Sequence, residues 1–453
     1  MRPLQHRRGG RPARPRAGGD VTDVVELLGD LLRFDTTNPP GNERDCIAYV
    51  QRLVEAAGAE TRIVAKDASR PNLIARLRGA GEAPPLLLYG HVDVVTTAGQ
   101  EWTRPPFLGE IVDGWIWGRG ALDMKGGVAM MVDAFLRAAR GELTPRGDLV
   151  LAVLSDEENG GDFGARYLCE EHAEAFDGVR HALGEFGGAS QSIGGRRFYP
   201  IQVAEKQICW LRGRVRGPGG HAAMGVKGAA MGKAGRILAR LDSGRLPVHV
   251  TPVARAWIEA MADALRRPQA LVLRSLLDPR LAELTLRAPV PELRILDRAL
   301  RNTVTATIVH GGSKINVVPS EIELELDGRA LPGFGPDELV REIQALVDMD
   351  MEIDVVRHDP YPAHSDLSQM PLLGDVLRDL DGEAVPTPML QVGVTDGRFF
   401  AGLGIQTYGF LPLRLPDGFA FTKLIHAADE RVPADAIRFG AEAVARVLQR
   451  YAG

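Results

Sequence analysis

The chain has 453 residues, 45% of them hydrophobic and 25% charged, and a formal net charge of −5. That length supports two or three domains with a large core, and mild acidity excludes a surface built for nucleic acid or anionic lipid. No apolar run reaches membrane-spanning length, and Cys46, Cys169 and Cys209 are too few and too far apart for a zinc-thiolate site or a disulfide framework, so reduced thiols in the cytoplasm are expected.

Residues 1–19 place Arg2, Arg7, Arg8, Arg11, Arg14 and Arg16 among Gly and Pro, without an acid. A disordered basic tail is expected there. No apolar segment follows Arg7-Arg8, so the pair is not read as an export signal. Residues 22–33 and 43–57 have amphipathic helical spacing, and a turn cluster over residues 36–42, Thr-Thr-Asn-Pro-Pro-Gly-Asn, separates them. Leu86-Leu87-Leu88-Tyr89 reads as a short buried strand that stops at Gly90-His91. A helix over 128–140 follows the Gly-rich loop that carries Asp123. A second apolar strand, 149–154, stops at Asp156-Glu157-Glu158. His181-Ala182-Leu183-Gly184 leads into Glu185, and a strand over 405–410 precedes the loop with His426.

One pattern recurs: an apolar strand, then a metal-ligand type of side chain just past its end. Alternating strands and helices imply an open α/β sheet. Ligands of such sheets bind beyond the carboxyl ends of the strands. One cleft can therefore gather His91, Glu157, Glu158, Glu185 and His426.

The middle of the chain differs. A strand over 207–215 ends in Gly217-Pro218-Gly219-Gly220-His221, and a helix over 228–241 follows. Strands over 304–308, 315–318 and 322–326, a helix over 336–347 and a strand over 352–356 complete roughly a β-α-β-β-α-β order with one short extra strand, the split-βαβ arrangement. Residues 251–300 read as a helical insertion. The expected organisation is a catalytic domain over 20–205 and 358–453, with an α+β domain over 206–357 inserted into it.

The chemistry rests on residue types. Asp93, two residues beyond His91, points to the same side and can fix the imidazole's orientation, as metal-bound histidines require. Asp123 is either a helix N-cap or a carboxylate bridging two metals. Adjacent acids are ordinarily a solvated surface, but Glu157-Glu158 stands at a strand end before Asn159-Gly160-Gly161. One carboxylate can bind metal while its neighbour stays free as a general base.

Taken in order, Gly90-His91-Val92-Asp93, Gly118-Arg119-Gly120 with Asp123-Met124-Lys125-Gly126, Asp156-Glu157-Glu158, Glu185, Gly220-His221-Ala222-Ala223, Asn316-Val317-Val318-Pro319, Asp327-Gly328-Arg329, Thr395-Asp396-Gly397-Arg398 and His426-Ala427-Ala428-Asp429-Glu430 resemble the dinuclear zinc aminoacylase and carboxypeptidase family. That family includes acetylornithine deacetylase, succinyl-diaminopimelate desuccinylase and carboxypeptidase G. The resemblance implies that His91 and Glu185 hold one metal, that Glu158 and His426 hold the other, and that Asp123 bridges them through a residue whose bond to Met124 is cis. It implies Glu157 as general base and Asp93 as the residue orienting His91. Arg329 and Asn316 are implied to bind a substrate carboxylate. His221 is implied to serve the site of a partner subunit, which requires a homodimer.

The implied reaction is hydrolysis of the amide of an N-acyl amino acid or small peptide that has a free carboxylate. Two divalent ions are implied: Zn first, with Co or Mn as alternatives. Thr96 stands where the family commonly has Pro, and Met224-Gly225 where Pro often follows the lid histidine; both touch loop shape rather than ligands. The insertion resembles larger members of broader specificity. A non-catalytic scaffold would be favoured by a missing ligand and none is missing. Phosphoester hydrolysis would call for a phosphate-cradling Gly-rich loop after a strand, which the sequence does not show.

Overall fold

Strands that are buried along nearly their whole length need cover on both faces. In the computed structural model, which describes residues 23–288, 290 and 293–453, four such strands lie parallel and adjacent: Leu149–Leu154, Leu86–His91, His181–Gly184 and Gln406–Gly409. The expected basic tail lies outside the described residues. Successive side chains alternate between the faces of the sheet. Leu86, Leu88, Leu149, Leu151 and Val153 enter one apolar core, while Leu87, Tyr89, Val150, Ala152 and Leu154 enter the other. The helices Val24–Leu32, Lys125–Ala139 and Ala434–Arg450 pack into the first core. Asp23 starts the first helix by accepting a hydrogen bond from the Val25 amide at 3.0 Å.

Glu60–Val64 and Asn72–Leu77 extend the sheet antiparallel on one side. Arg196–Glu205 and Ala384–Gln391 extend it on the other, and with the short Gln191–Ile193 the mixed sheet has nine strands among the described residues. The open α/β architecture expected from the sequence is present. Periodicity does not mark Ala384–Gln391 as a strand, because Pro386 and Pro388 interrupt it. It stands at the edge of the sheet, where a missing N–H is tolerated.

After Glu205 the chain crosses into a second sheet, antiparallel throughout, in the order Thr303–His310, Glu321–Ala330, Gln207–Arg216 and Glu352–Asp359. Helices Ala230–Ser243 and Pro336–Val347 cover it through a separate core that includes Cys209, Leu211, Ile237, Leu324, Leu339 and Ile343. This is the split-βαβ order. The helical stretch becomes Pro252–Ala264, Arg267–Ser275, Pro279–Thr285 and Leu293–Ala299. Thr251 caps its first helix, with Pro252 at the first helical position. Val253, Trp257, Ile258 and Met261 recur at helical spacing and pack into the core of the large sheet beside Ala384–Gln391. In sequence this stretch lies within the second unit; in space it lies on the first. No helix among the described residues is long and apolar enough to cross a membrane.

Candidate metal centre

The four parallel strands end at one edge of the sheet, and the acids and imidazoles that follow them meet there. His91 closes its own strand and is buried. Its Nε2 faces Asp123 Oδ1 and Glu185 Oε2, each at 3.3 Å, and Glu157 Oε2 at 3.8 Å. His426 Nε2 faces Glu158 Oε1 at 3.2 Å and Asp123 Oδ2 at 3.3 Å. The two oxygens of Asp123 are thus directed at different histidines. His91–Asp123–Glu185 and Asp123–Glu158–His426 form two groups that share one carboxylate, and within each group the ligand atoms lie within 4.8 Å of one another. The peptide bond between Asp123 and Met124 is cis.

The donors fit divalent cations. Two imidazoles with carboxylates are a ligand set for zinc and its first-row neighbours. His91 Nε2 and Glu185 Oε1 are buried and make no hydrogen bond, which is costly for polar atoms that nothing else satisfies. The charge is also unbalanced. Burial, and then Glu185, push the Glu157 carboxyl well above its ordinary range. Burial pushes Glu158 up to about 7. His426 is held up at about 10 by its hydrogen bonds to Asp123 and Glu158. With only protons available, crowded acids keep them; metal cations would displace them.

Backbone shape delivers these side chains. Asp156, Phe186 and His426 have φ of 73°, 60° and 62°, a region non-glycine residues seldom occupy. Each of the three is a candidate ligand or the immediate neighbour of a candidate site acid; among the described residues Asp113, Asp348 and Asp429 also have positive φ. Gly184, just before Glu185, has no room for a side chain: a Cβ there would lie 1.9 Å from the Tyr89 ring.

Asp93 has a wider task than its spacing implies. His91 Nδ1 lies 3.0 Å from the Asp93 carbonyl oxygen and 3.4 Å from its carboxylate. The carboxylate itself accepts hydrogen bonds from the backbone amides of Glu157 (3.2 Å) and Glu158 (3.1 Å) and from Asn38 Nδ2 (2.8 Å). Asn38 also donates to Asp156 Oδ1 at 3.0 Å, and Arg70 pairs with Asp156 and Glu43, each at 2.9 Å. On the other side, buried Glu430 accepts from the amides of Gly120, Leu122 and Asp123 and pairs with Arg119 at 2.7 Å. Asn38, Arg70, Glu43, Arg119 and Glu430 are not recognisable as site residues from spacing. Asn38 reads as part of a turn, and Glu430 carries no signal beyond its place in the last motif.

Three anticipated residues stand apart from this cluster. Arg329 lies in the Glu321–Ala330 strand with its fork on Asp327, at 2.8 and 3.1 Å. His221 is exposed on the short two-stranded ladder of the second unit, where its Nδ1 accepts from the Ala223 amide at 3.2 Å, and Asn316 is exposed in the turn just before that ladder's other strand. None of the three joins the His91–His426 cluster.

The family described as peptidase family M20/M25/M40 matches residues 87–450. Succinyl-diaminopimelate desuccinylase of Paracoccus denitrificans is 28% identical over 444 residues, covering 95% of this chain and 99% of its own. The N-fatty-acyl-amino acid synthase/hydrolase PM20D1 of Xenopus tropicalis is 25% identical over 452 residues, covering 94% and 85%. In fold, the M20 family metallo-carboxypeptidase Sso-CP2 of Sulfolobus solfataricus aligns over 95% of this chain and 100% of its own with a TM-score of 0.67 at 18% identity.

Proposed function

Because the chain belongs to peptidase family M20/M25/M40, and is therefore a metal-dependent amidohydrolase, we propose that it is a two-metal enzyme cleaving the amide of N-acyl amino acids or small peptides that carry a free carboxylate. The observation that carries this reading is Asp123, whose two oxygens face two different histidines. His91 and Glu185 would hold one ion, Glu158 and His426 the other, with Asp123 between them. Zinc is the first choice, with cobalt or manganese as alternatives. When bound, such ions acidify water and polarise a carbonyl.

The protein's own groups do the remaining work. Glu157 is the carboxylate left over once the two sets of three are filled, and its neighbour Glu158 is a ligand. It takes a proton from the attacking water and gives it to the leaving nitrogen. The water oxygen becomes part of the acyl product's carboxylate, and the amine leaves as the free amino acid. Asp93 holds the Glu157-Glu158 backbone and the His91 ring in register. Arg329 and Asn316 supply the grip on the substrate carboxylate, and His221 a donor to the carbonyl oxygen.

We read residues 20–205 and 358–453 as the catalytic domain and 206–357 as a lid that also forms a homodimer. The Thr303–His310 strand supports the dimer: it is an edge of its sheet with Ile308 and Val309 half exposed, an arrangement that favours pairing with a second strand. A cytoplasmic setting fits the free thiols of Cys46 and Cys209 in the cores. The reading is tested with Glu157→Gln. Amino-acid release from a panel of N-acyl amino acids and dipeptides should fall about 10²–10⁴-fold, while elemental analysis still finds two metals per chain. Equal rates in the variant and wild type would remove Glu157 as the base. No release by the metal-loaded wild type would overturn the function.

A further inference from the structure

The desuccinylase and the fatty-acyl enzyme among the relatives leave the acyl group of the substrate open. The cavities beside the metal centre are more selective. A chamber of about 450 Å³ begins at Asp123 and Glu185 and continues between Met124, Phe186, Leu411, Leu413, Phe421 and Ile425. A second chamber of about 430 Å³ lies under the helices 252–264, 267–275 and 293–299, walled by Trp257, Met261, Leu265, Leu273 and Leu296. The two meet at Gln191, Pro200 and Ile295, which line both. Among the described residues, neither wall contains a Lys, Arg or His, and the only acids are the two ligands at the inner end.

An acyl group with a second carboxylate would bury that charge in such a space with no cation to pair with it. A neutral chain of methylenes meets no such cost. Apolar walls with few polar groups, next to a reactive polar end, are the form of a site for an amphiphile rather than of a packed core. We infer that the chain carries a two-chamber site for the linear apolar acyl chain of an N-acyl amino acid, with the scissile carbonyl at Asp123 and Glu185 and the chain running past Ile295 under the helical insertion. This rests on the amidohydrolase reading for the polar end of the substrate. It also explains the packing of the helices 252–264, 267–275 and 293–299: they leave their own unit because they roof the outer chamber.

The test is a length series on one amino acid: N-acetyl-, N-hexanoyl-, N-decanoyl- and N-hexadecanoyl-phenylalanine, with N-succinyl-phenylalanine beside them, each below its micelle threshold. Burying a methylene strengthens binding by about fourfold. The zinc-loaded wild type should therefore gain at least about a hundredfold in kcat/KM from acetyl to decanoyl, mainly through KM, and should disfavour succinyl. Ile295→Glu places a charge where the chambers meet and should lower the hexadecanoyl-to-acetyl ratio of kcat/KM at least tenfold. Leu265→Trp fills the outer chamber and should lower hexadecanoyl relative to decanoyl. Binding is measured separately on the metal-free wild type, by displacing the neutral probe Nile red with hexadecanamide, which brings no charge to the acids at the inner end. Cleavage of N-acetyl substrates or dipeptides with no gain from length and no displacement would overturn the acyl-chain site and leave the amidohydrolase standing. Displacement without cleavage of any substrate would do the reverse. A preference for succinyl would overturn the inference directly.

Discussion

Asn38 donates one hydrogen bond to Asp93 and one to Asp156, joining three loops that come together only in the folded chain. Without its amide, Asp93 Oδ2 and Asp156 Oδ1 lose a buried donor, and the Glu157-Glu158 turn loses part of its anchor. Residues that support metal ligands at one remove typically contribute 10–100-fold in affinity or rate. Asn38→Ala is expected to weaken metal retention and lower kcat by about that factor, which chelator competition and steady-state rates would check. The candidate metal ligands His91, Glu158 and Glu185 are legible in the sequence because each stands at or just past the end of an apolar strand, whereas Asp123 and His426 lie in loops and are marked only by their motifs. Asn38 is not legible, because its partners are 55 and 118 residues away and nothing local marks it. Lys206 escapes notice for the same reason. It is buried where the chain passes between the sheets, with Nζ 3.3 Å from Thr303 Oγ1. Burial, and then Arg329 and Arg298, bring its ammonium down to about 7. Below pH 7 both folded and unfolded chains bind the proton, and the full cost of the buried charge is present. Between pH 7 and the ordinary lysine value the unfolded chain binds more protons, so stability rises with pH. Lys206→Met should therefore stabilise the metal-free protein by up to about 5 kcal/mol at pH 6, with the gain shrinking towards pH 10; urea unfolding at the two pH values measures it.

Among the elements, the loop carrying Asp123 depends on a residue more than three hundred positions away. Glu430 gathers three amides of that loop and the guanidinium of Arg119, and it follows the His426 loop directly. It ties the Asp123 loop and the segment that follows His426 to one anchor. Removing one member of a buried pair leaves the other charge uncompensated, at about 3–5 kcal/mol. Glu430→Gln keeps the shape and removes the charge. It should lower the urea midpoint accordingly and release both metals more readily, whereas a purely local role would change stability alone. Helix and strand types are readable here from apolar period and caps, as with Pro252–Ala264 behind Thr251. Packing partners are not. The amphipathic stripe of Val253, Trp257, Ile258 and Met261 says that one face is buried, but either sheet would satisfy it. Only the tertiary structure puts that face on the large sheet.

At the scale of the whole molecule, the arrangement separates the parts of the proposed reaction. The candidate metal ligands meet at the edge of the large sheet, while His221, Asn316 and Arg329 belong to the second unit and do not join them. The exposed edge at Ile308 and Val309 offers a second copy a strand to pair with. In a symmetric dimer every feature one subunit gives is returned by the other, so a lid residue can complete the site of the neighbour. Mixing distinguishes this arrangement from closure within one chain. Glu157→Gln homodimers lack the base but keep His221, and His221→Ala homodimers lack the lid histidine but keep Glu157. If His221 acts across the interface, the heterodimer formed by exchange has one complete site, built from Glu157 of one chain and His221 of the other. Random exchange makes half of the dimers mixed, with one of two sites active in each, so activity should recover to about a quarter of wild type. If His221 acts within its own chain, every site in the mixture lacks one of the two groups and nothing is recovered. Sedimentation of the mixture, against a chain mass of 49.0 kDa, reads the dimer independently of activity, so that a monomer and a dimer closed within each chain give different results.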